Sequence, residues 1–89
     1  MNKYKKQISD INKVAKYFAN MNYHVTATFF SQSAGCQVII YFYDINQKES
    51  IESYLREHSE QYDSIIFDEY ERPHTSDKFF TYTLQKHAS

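Results

Sequence analysis

The side chains that could perform catalysis are scattered along the chain and form no motif. Histidines occur at positions 24, 58, 74 and 87, and Cys36 is the single cysteine. Cys36 and His24 can face each other across a predicted hairpin, but a cysteine nucleophile also needs an orienting group and oxyanion donors. The single glycine excludes a glycine-rich phosphate loop. We therefore expect a protein that is not an enzyme, with a small hydrolase or nuclease-like enzyme as the last alternative.

Carboxylates are concentrated in the second half of the chain. The stretch from Asp63 to Asp77 holds five acids and His74 within fifteen residues. Oxygen-rich sets of this kind hold hard divalent cations when a glycine-pinned loop or EF-hand spacing arranges them, and neither is present here. The acids are more typical of a charged edge strand that blocks edge-to-edge pairing. We expect no metal and no other cofactor.

The same acids, together with those of a predicted second helix, form a candidate surface for a basic protein partner. Carboxylates on such a surface would steer association and contribute specificity. The residues of this predicted acidic surface are Glu49, Glu52, Glu57, Glu60, Asp63, Asp68, Glu69 and Glu71.

The net charge of −1 conceals an uneven distribution. Residues 1–25 contain five Lys and one Asp, a local charge of +4, whereas residues 44–77 contain ten acids and three basic residues, a local charge of −7. Lys6, Lys13 and Lys16 form a basic face on the first predicted helix, which is either solvated or docks on an acidic partner, on phosphates or on an anionic membrane. A strongly basic nucleic-acid binder is disfavoured.

Hydrophobic periodicity predicts two helices and four strands. Apolar residues recur at helical spacing from Tyr4 to Phe18, and again over 47–59, where Asn46 is the predicted N-cap and Ile51, Tyr54, Leu55 and His58 form the inner stripe. Alternation predicts strands over 23–31, 36–43, 62–70 and 79–84, with residues 31–35 as a hairpin turn. The expected fold is one α+β domain (1–89) with the order α-β-β-α-β-β. It has a four-stranded antiparallel sheet with both helices packed on one face. This order is similar to a circular permutation of a ferredoxin-like fold, as an analogy of topology.

The chain contains nine Tyr and seven Phe, and they fall on both faces of the predicted sheet. Two helices can cover only one face, and monomers seldom expose large apolar patches. We therefore expect the second face to be an interface, since Tyr and Phe are enriched at interface cores. The predicted aromatic interface residues are Phe30, Ile39, Tyr41, Tyr43, Tyr70 and Phe79.

These features favour a non-enzymatic module that binds another protein. The small size, the acidic side and a Lys-, Asn-, Ile- and Tyr-rich composition typical of an AT-rich genome suggest a phage or mobile-element inhibitor. It would bind a host factor or an antiviral defence complex, as an anti-CRISPR protein does. The second alternative is a nucleic-acid-binding accessory domain that stacks bases on the aromatic face. A homodimer is compatible with each of these hypotheses.

The expected location is the cytoplasm. A single cysteine allows no internal disulfide, which fits a reducing compartment. The N-terminus lacks the apolar segment of a signal peptide, and the longest apolar run, Val38 to Tyr43, is too short to span a bilayer. We expect no membrane association.

Overall fold

A computed structural model of the chain describes residues 4–58 and 60–87 and confirms the order α-β-β-α-β-β. Residues 1–3, 59 and 88–89 of the predicted domain lie outside the described residues, including the predicted end of the second helix. The elements are α1 (Lys5–Ala19), β1 (Val25–Gln32), β2 (Gly35–Phe42), a 3₁₀ turn (Ile45–Gln47), α2 (Lys48–Glu57), β3 (Ser64–Glu71) and β4 (Lys78–His87).

The four strands form one open antiparallel sheet in the order β1-β2-β4-β3. The register places Val25 opposite Phe42 and Ile40 opposite Tyr82, which in turn lies opposite Phe67. Because side chains alternate along a strand, these apolar residues all lie on one face of the sheet. The strands β1 and β3 are the two edges.

Both helices pack on that apolar side, which we call the covered face. Phe18 of α1 and Ile51 of α2 are fully buried against Ile40 and Phe42 of β2, as the periodicity predicts. The apolar and aromatic sheet residues of the covered face are Val25, Ala27, Phe29, Cys36, Val38, Ile40, Phe42, Ile65, Phe67, Phe80, Tyr82 and Leu84.

Three local predictions were wrong in detail. The hairpin turn is shorter than predicted, because β1 continues to Gln32 and β2 begins at Gly35, whose φ of 144° suits glycine. The segment before α2 is capped by Asp44, whose carboxylate accepts from the Asn46 backbone N–H at 2.9 Å, so Asn46 is not the N-cap. His58 was predicted to lie in the inner stripe of α2, but α2 ends at Glu57 and His58 is exposed. The Nδ1 atom of the His58 ring lies 2.8 Å from the Tyr54 carbonyl oxygen.

Candidate functional site

The opposite side of the sheet carries no helix among the described residues, and we call it the open face. Register and alternation place complete rows of side chains across its four strands. One row runs from Thr28 through Ile39 and Thr83 to Ile66. The other strand residues of this face are Thr26, Phe30, Gln32, Gly35, Gln37, Tyr41, Ser64, Asp68, Tyr70, Phe79, Thr81, Gln85 and His87.

Three rings meet at one end of the open face and form what we call the aromatic cluster: Tyr41, Tyr70 and Phe79. The Tyr70 and Phe79 rings are stacked at 5.0 Å between centroids with an interplanar angle of 15°. The Tyr41 ring lies 6.4 Å from Phe79, and the guanidinium carbon of Arg72 lies 5.9 Å from the Phe79 ring centroid. The cluster is therefore a preformed aromatic surface with a cation beside it.

The remaining predicted interface residues occupy different places. Tyr43 follows β2 at the same end as the cluster and is 49% exposed, while Tyr70 is 46% exposed. Phe30 is 45% exposed but lies toward the other end of the face, because it pairs with Gln37, four residues before Tyr41. Ile39 lies between Gln37 and Tyr41 and is half-buried. Ile66, 47% exposed, was not among the predicted residues although the alternation in β3 indicates it.

The open face is almost uncharged along its strands. Asp68 of β3 is the one Asp, Glu, Lys or Arg among the strand residues of this face, all of which the structure describes. Its neighbour in the row, Thr81, is buried even though it lies on the open face. The surface thus combines exposed rings and Ile66 with hydroxyl and amide groups, and it shares aromatic enrichment and scarcity of charge with protein interface cores.

The acids predicted to form one surface are divided among several places. Glu49 and Glu57 are exposed on α2, and Glu60 follows it, whereas Asp68 lies on the open face. Glu69 and Glu71 point to the opposite side from Asp68. Glu69 pairs with Lys78 at 3.6 Å, and Asp63 accepts from the His87 backbone N–H at 2.6 Å.

Glu52 belongs to the packing of α2 on the sheet. Tyr82 donates its hydroxyl hydrogen bond to Glu52 at 2.8 Å, and Lys48 and Arg56 lie 3.4 and 3.3 Å from the same carboxylate. The Tyr82 hydrogen bond, outweighing partial burial, holds the pKa of Glu52 below its usual value. Lys48 also lies 4.7 Å from the ring centroid of Phe67. A residue with these contacts supports the fold and is poorly placed to meet a partner.

The basic residues of α1 lie on the other side of the domain from the open face. Lys6 and Lys13 are exposed at the rim of a cleft of about 300 Å³ between α1 and α2, and Lys16 is exposed in the last turn. This cleft, whose floor includes Val38 and Leu84, was not predicted from the sequence. Its walls come from segments far apart in the chain, which no local pattern reveals.

The loop after α2 closes one end of the cleft. The side-chain amide of Gln61 donates to the Asp10 carboxylate and accepts from the Gln7 side chain at 3.3 Å. The backbone carbonyl of Gln61 accepts from Lys86 at 3.2 Å. Burial, with Asp10 adding to the effect, raises the pKa of the neighbouring Tyr62 phenol. These bonds anchor the loop to α1 and β4.

The predicted pairing of Cys36 with His24 was wrong. Cys36 is buried near the hairpin turn, whereas His24 precedes Val25 at the opposite end of β1. Burial raises the pKa of the Cys36 thiol, and Lys86 only partly offsets this. Across residues 4–58 and 60–87, no three His, Cys, Asp or Glu residues are grouped to hold a metal ion.

Neither described helix combines the length and apolar character that a bilayer span requires. Comparison of the chain with protein-family models, with curated protein sequences and with solved structures gave no match. The fold and the open face therefore define the class only as an α+β domain with an exposed, aromatic sheet surface.

Proposed function

We propose that this protein acts by stoichiometric binding of another protein through the open face. The observation that supports the proposal is the aromatic cluster with its exposed neighbour Tyr43. Rings that are large, rigid and already held by stacking lose little conformational freedom on binding, which is why Tyr contributes strongly to hot spots. The nearly uncharged rows beside them can be desolvated at low cost. Asp68 and the exposed acids of α2 would steer a basic partner.

The particular form we propose is an inhibitor of phage or mobile-element origin that blocks a host factor or an antiviral defence complex. Its support is the small size and the composition of the chain, and the proposal requires no catalytic site. It acts in the cytoplasm under this proposal. An inhibitor of this type binds its target stoichiometrically. The identity of the bound partner therefore tests this part of the proposal.

The nucleic-acid alternative has less support. Stacking of bases on Tyr41, Tyr70 and Phe79 is chemically reasonable, with Arg72 close by. The backbone phosphates would then need cations on the same side, but Lys6, Lys13 and Lys16 lie on the helical side and Asp68 lies within the face.

The test is affinity capture from host lysate with and without nuclease, followed by titration of the recovered partner with purified variants. Tyr43→Ala and Tyr70→Ala should each weaken binding at least about tenfold, as hot-spot losses do. Tyr17→Ala is the matched control, because Tyr17 is also 46% exposed and stacks on a neighbouring ring, but on the helical side. Equal effects of Tyr70→Ala and Tyr17→Ala would contradict the proposal. Recovery of partner proteins only in the absence of nuclease would favour the nucleic-acid alternative.

A further inference from the structure

The two edges of the sheet differ in how they are protected. A strand at an edge leaves half of its backbone N–H and C=O groups available to another strand, and proteins usually block such edges with charge. The edge strand β3 carries Asp68, Glu69 and Glu71. The edge strand β1, with the sequence VTATFFSQ, is equally long at eight residues and has no charge, proline or glycine. It is therefore the unprotected edge.

The helix beside β1 is uncharged on the same side. Tyr17 stacks on α2, and Lys6, Asp10 and Lys13 line the cleft toward α2, so this flank of α1 faces α2. The opposite flank, above the β1 edge, consists of residues at spacings of four and three. They are Ile8, Asn12, Ala15 and Ala19; all four are uncharged, Asn12 and Ala19 are exposed, and Ile8 and Ala15 are partly buried. Lys5 and Lys16 lie further round the helix, toward solvent.

We infer that the β1 edge pairs antiparallel with the β1 edge of a second copy of this chain, giving a continuous eight-stranded sheet. A second copy fits because a twofold axis brings two uncharged strands and two uncharged helix flanks together without repulsion. A copy pairing through β3 would instead bring like-charged acids together. The inference goes beyond the proposed function and does not depend on it. It leaves the aromatic cluster free, on the open face of both copies.

The faces of the sheet restrict the register of this pairing. Residues directly opposite each other in an antiparallel pair lie on the same face, so open-face residues of β1 must meet open-face residues of the second copy. A twofold axis at Thr28 satisfies this rule and centres the uncharged segment. Thr28 then meets Thr28 of the second copy, and Thr26 meets Phe30.

The test is sedimentation equilibrium of the purified full chain over a wide concentration range. The wild type should reach twice the chain mass of 10.7 kDa, and Thr28→Lys should raise the dimer dissociation constant at least about tenfold, because two lysines would face each other. Ile66→Lys is the matched control, since Ile66 ends the same cross-sheet row at the other edge, and it should leave the dimer intact.

Each other outcome overturns the inference. A wild type that stays at chain mass has no such interface, and a dimer that survives Thr28→Lys uses another surface. Dissociation by both substitutions indicates dimerisation through the whole open face. If Thr28→Lys fails to fold by circular dichroism, Asn12→Arg on the exposed flank of α1 decides by the same measurement. Thr28→Cys should also give a disulfide-linked dimer on oxidation, whereas the wild type, whose Cys36 is buried, should not.

Discussion

The covered and open faces are built by alternate residues of the same four strands, yet their environments are opposite. On the covered face Ile40 and Phe42 have no exposed surface, whereas on the open face Ile66 and Tyr70 keep nearly half of theirs. Both sets are apolar or aromatic. Residue type therefore does not distinguish core from surface in this chain, and the position of the helices does.

Stacked aromatic rings have different roles on the two faces. Phe42 stacks with Tyr82 at 5.8 Å inside the core, where burial of the rings stabilises the fold. Tyr70 stacks with Phe79 at 5.0 Å at the surface, where the same geometry stabilises the fold far less but holds the rings in place. The first stack is a folding element, and the second is the preformed part of the proposed interface.

The largest expected effect is the loss of a buried ring from the covered face, compared with the loss of the exposed ring that follows it in the sequence. Phe42→Ala should cost about 3–5 kcal/mol in the free energy of unfolding, because it leaves a cavity beneath α2. Tyr43→Ala, at a 49% exposed residue, should cost under about 1 kcal/mol. Urea unfolding followed by circular dichroism measures both. Similar costs for the two variants would mean that the Tyr43 ring is packed in solution as tightly as Phe42.

Much of this fold could be predicted because the chain alternates strongly. The runs that contain Val25 to Phe29 and Val38 to Phe42 assign each residue to a face without knowledge of the partner strand. The placement of both helices on one face then follows from their single apolar stripes. The hairpin turn and the α2 cap were missed because they depend on φ angles and on one Asp44 hydrogen bond. Several different residues could form such a turn or such a cap, so the sequence alone does not select one.

The candidate site was predictable only in part. The residues of the open face follow from alternation, but the grouping of Tyr41, Tyr70 and Phe79 requires the strand order, since β2 and β3 meet only through β4. Composition suggested one acidic surface, whereas alternation sends Asp68 and Glu69 to opposite faces. The polar contact between Glu52 and Tyr82 joins residues thirty positions apart and has no local pattern.

An intermediate effect is expected where the covered face contains a polar contact. Glu52→Ala should cost about 1–3 kcal/mol, because the nearly buried Tyr82 hydroxyl loses the carboxylate that accepts its hydrogen bond. Glu57→Ala, at an exposed residue of the same helix, should stay within about 0.5 kcal/mol. A double-mutant cycle of Glu52→Ala with Tyr82→Phe isolates the contact by urea unfolding. Additive costs would show that the Glu52 carboxylate and the Tyr82 hydroxyl do not interact.

The smallest effect is the pH dependence of the same contact. The Tyr82 hydrogen bond lowers the pKa of Glu52 in the folded state below the ordinary value of 4.5, so the unfolded chain takes up this proton first. The stabilisation is therefore complete above about pH 4.5, and it is lost as the pH falls through the folded-state pKa.

The carboxylate is partly exposed, so this contribution should stay under about 1 kcal/mol. The measurement is the free energy of unfolding of the wild type and of Glu52→Gln between pH 7 and pH 3, with Glu57→Gln as the control. The gap between wild type and Glu52→Gln should narrow with acidification, because glutamine keeps an acceptor but does not titrate. A constant gap would assign the Glu52 contribution to shape and hydrogen bonding alone. In that case the negative charge of Glu52 would not stabilise the fold, and its contact with Tyr82 would act as a hydrogen bond between neutral groups does.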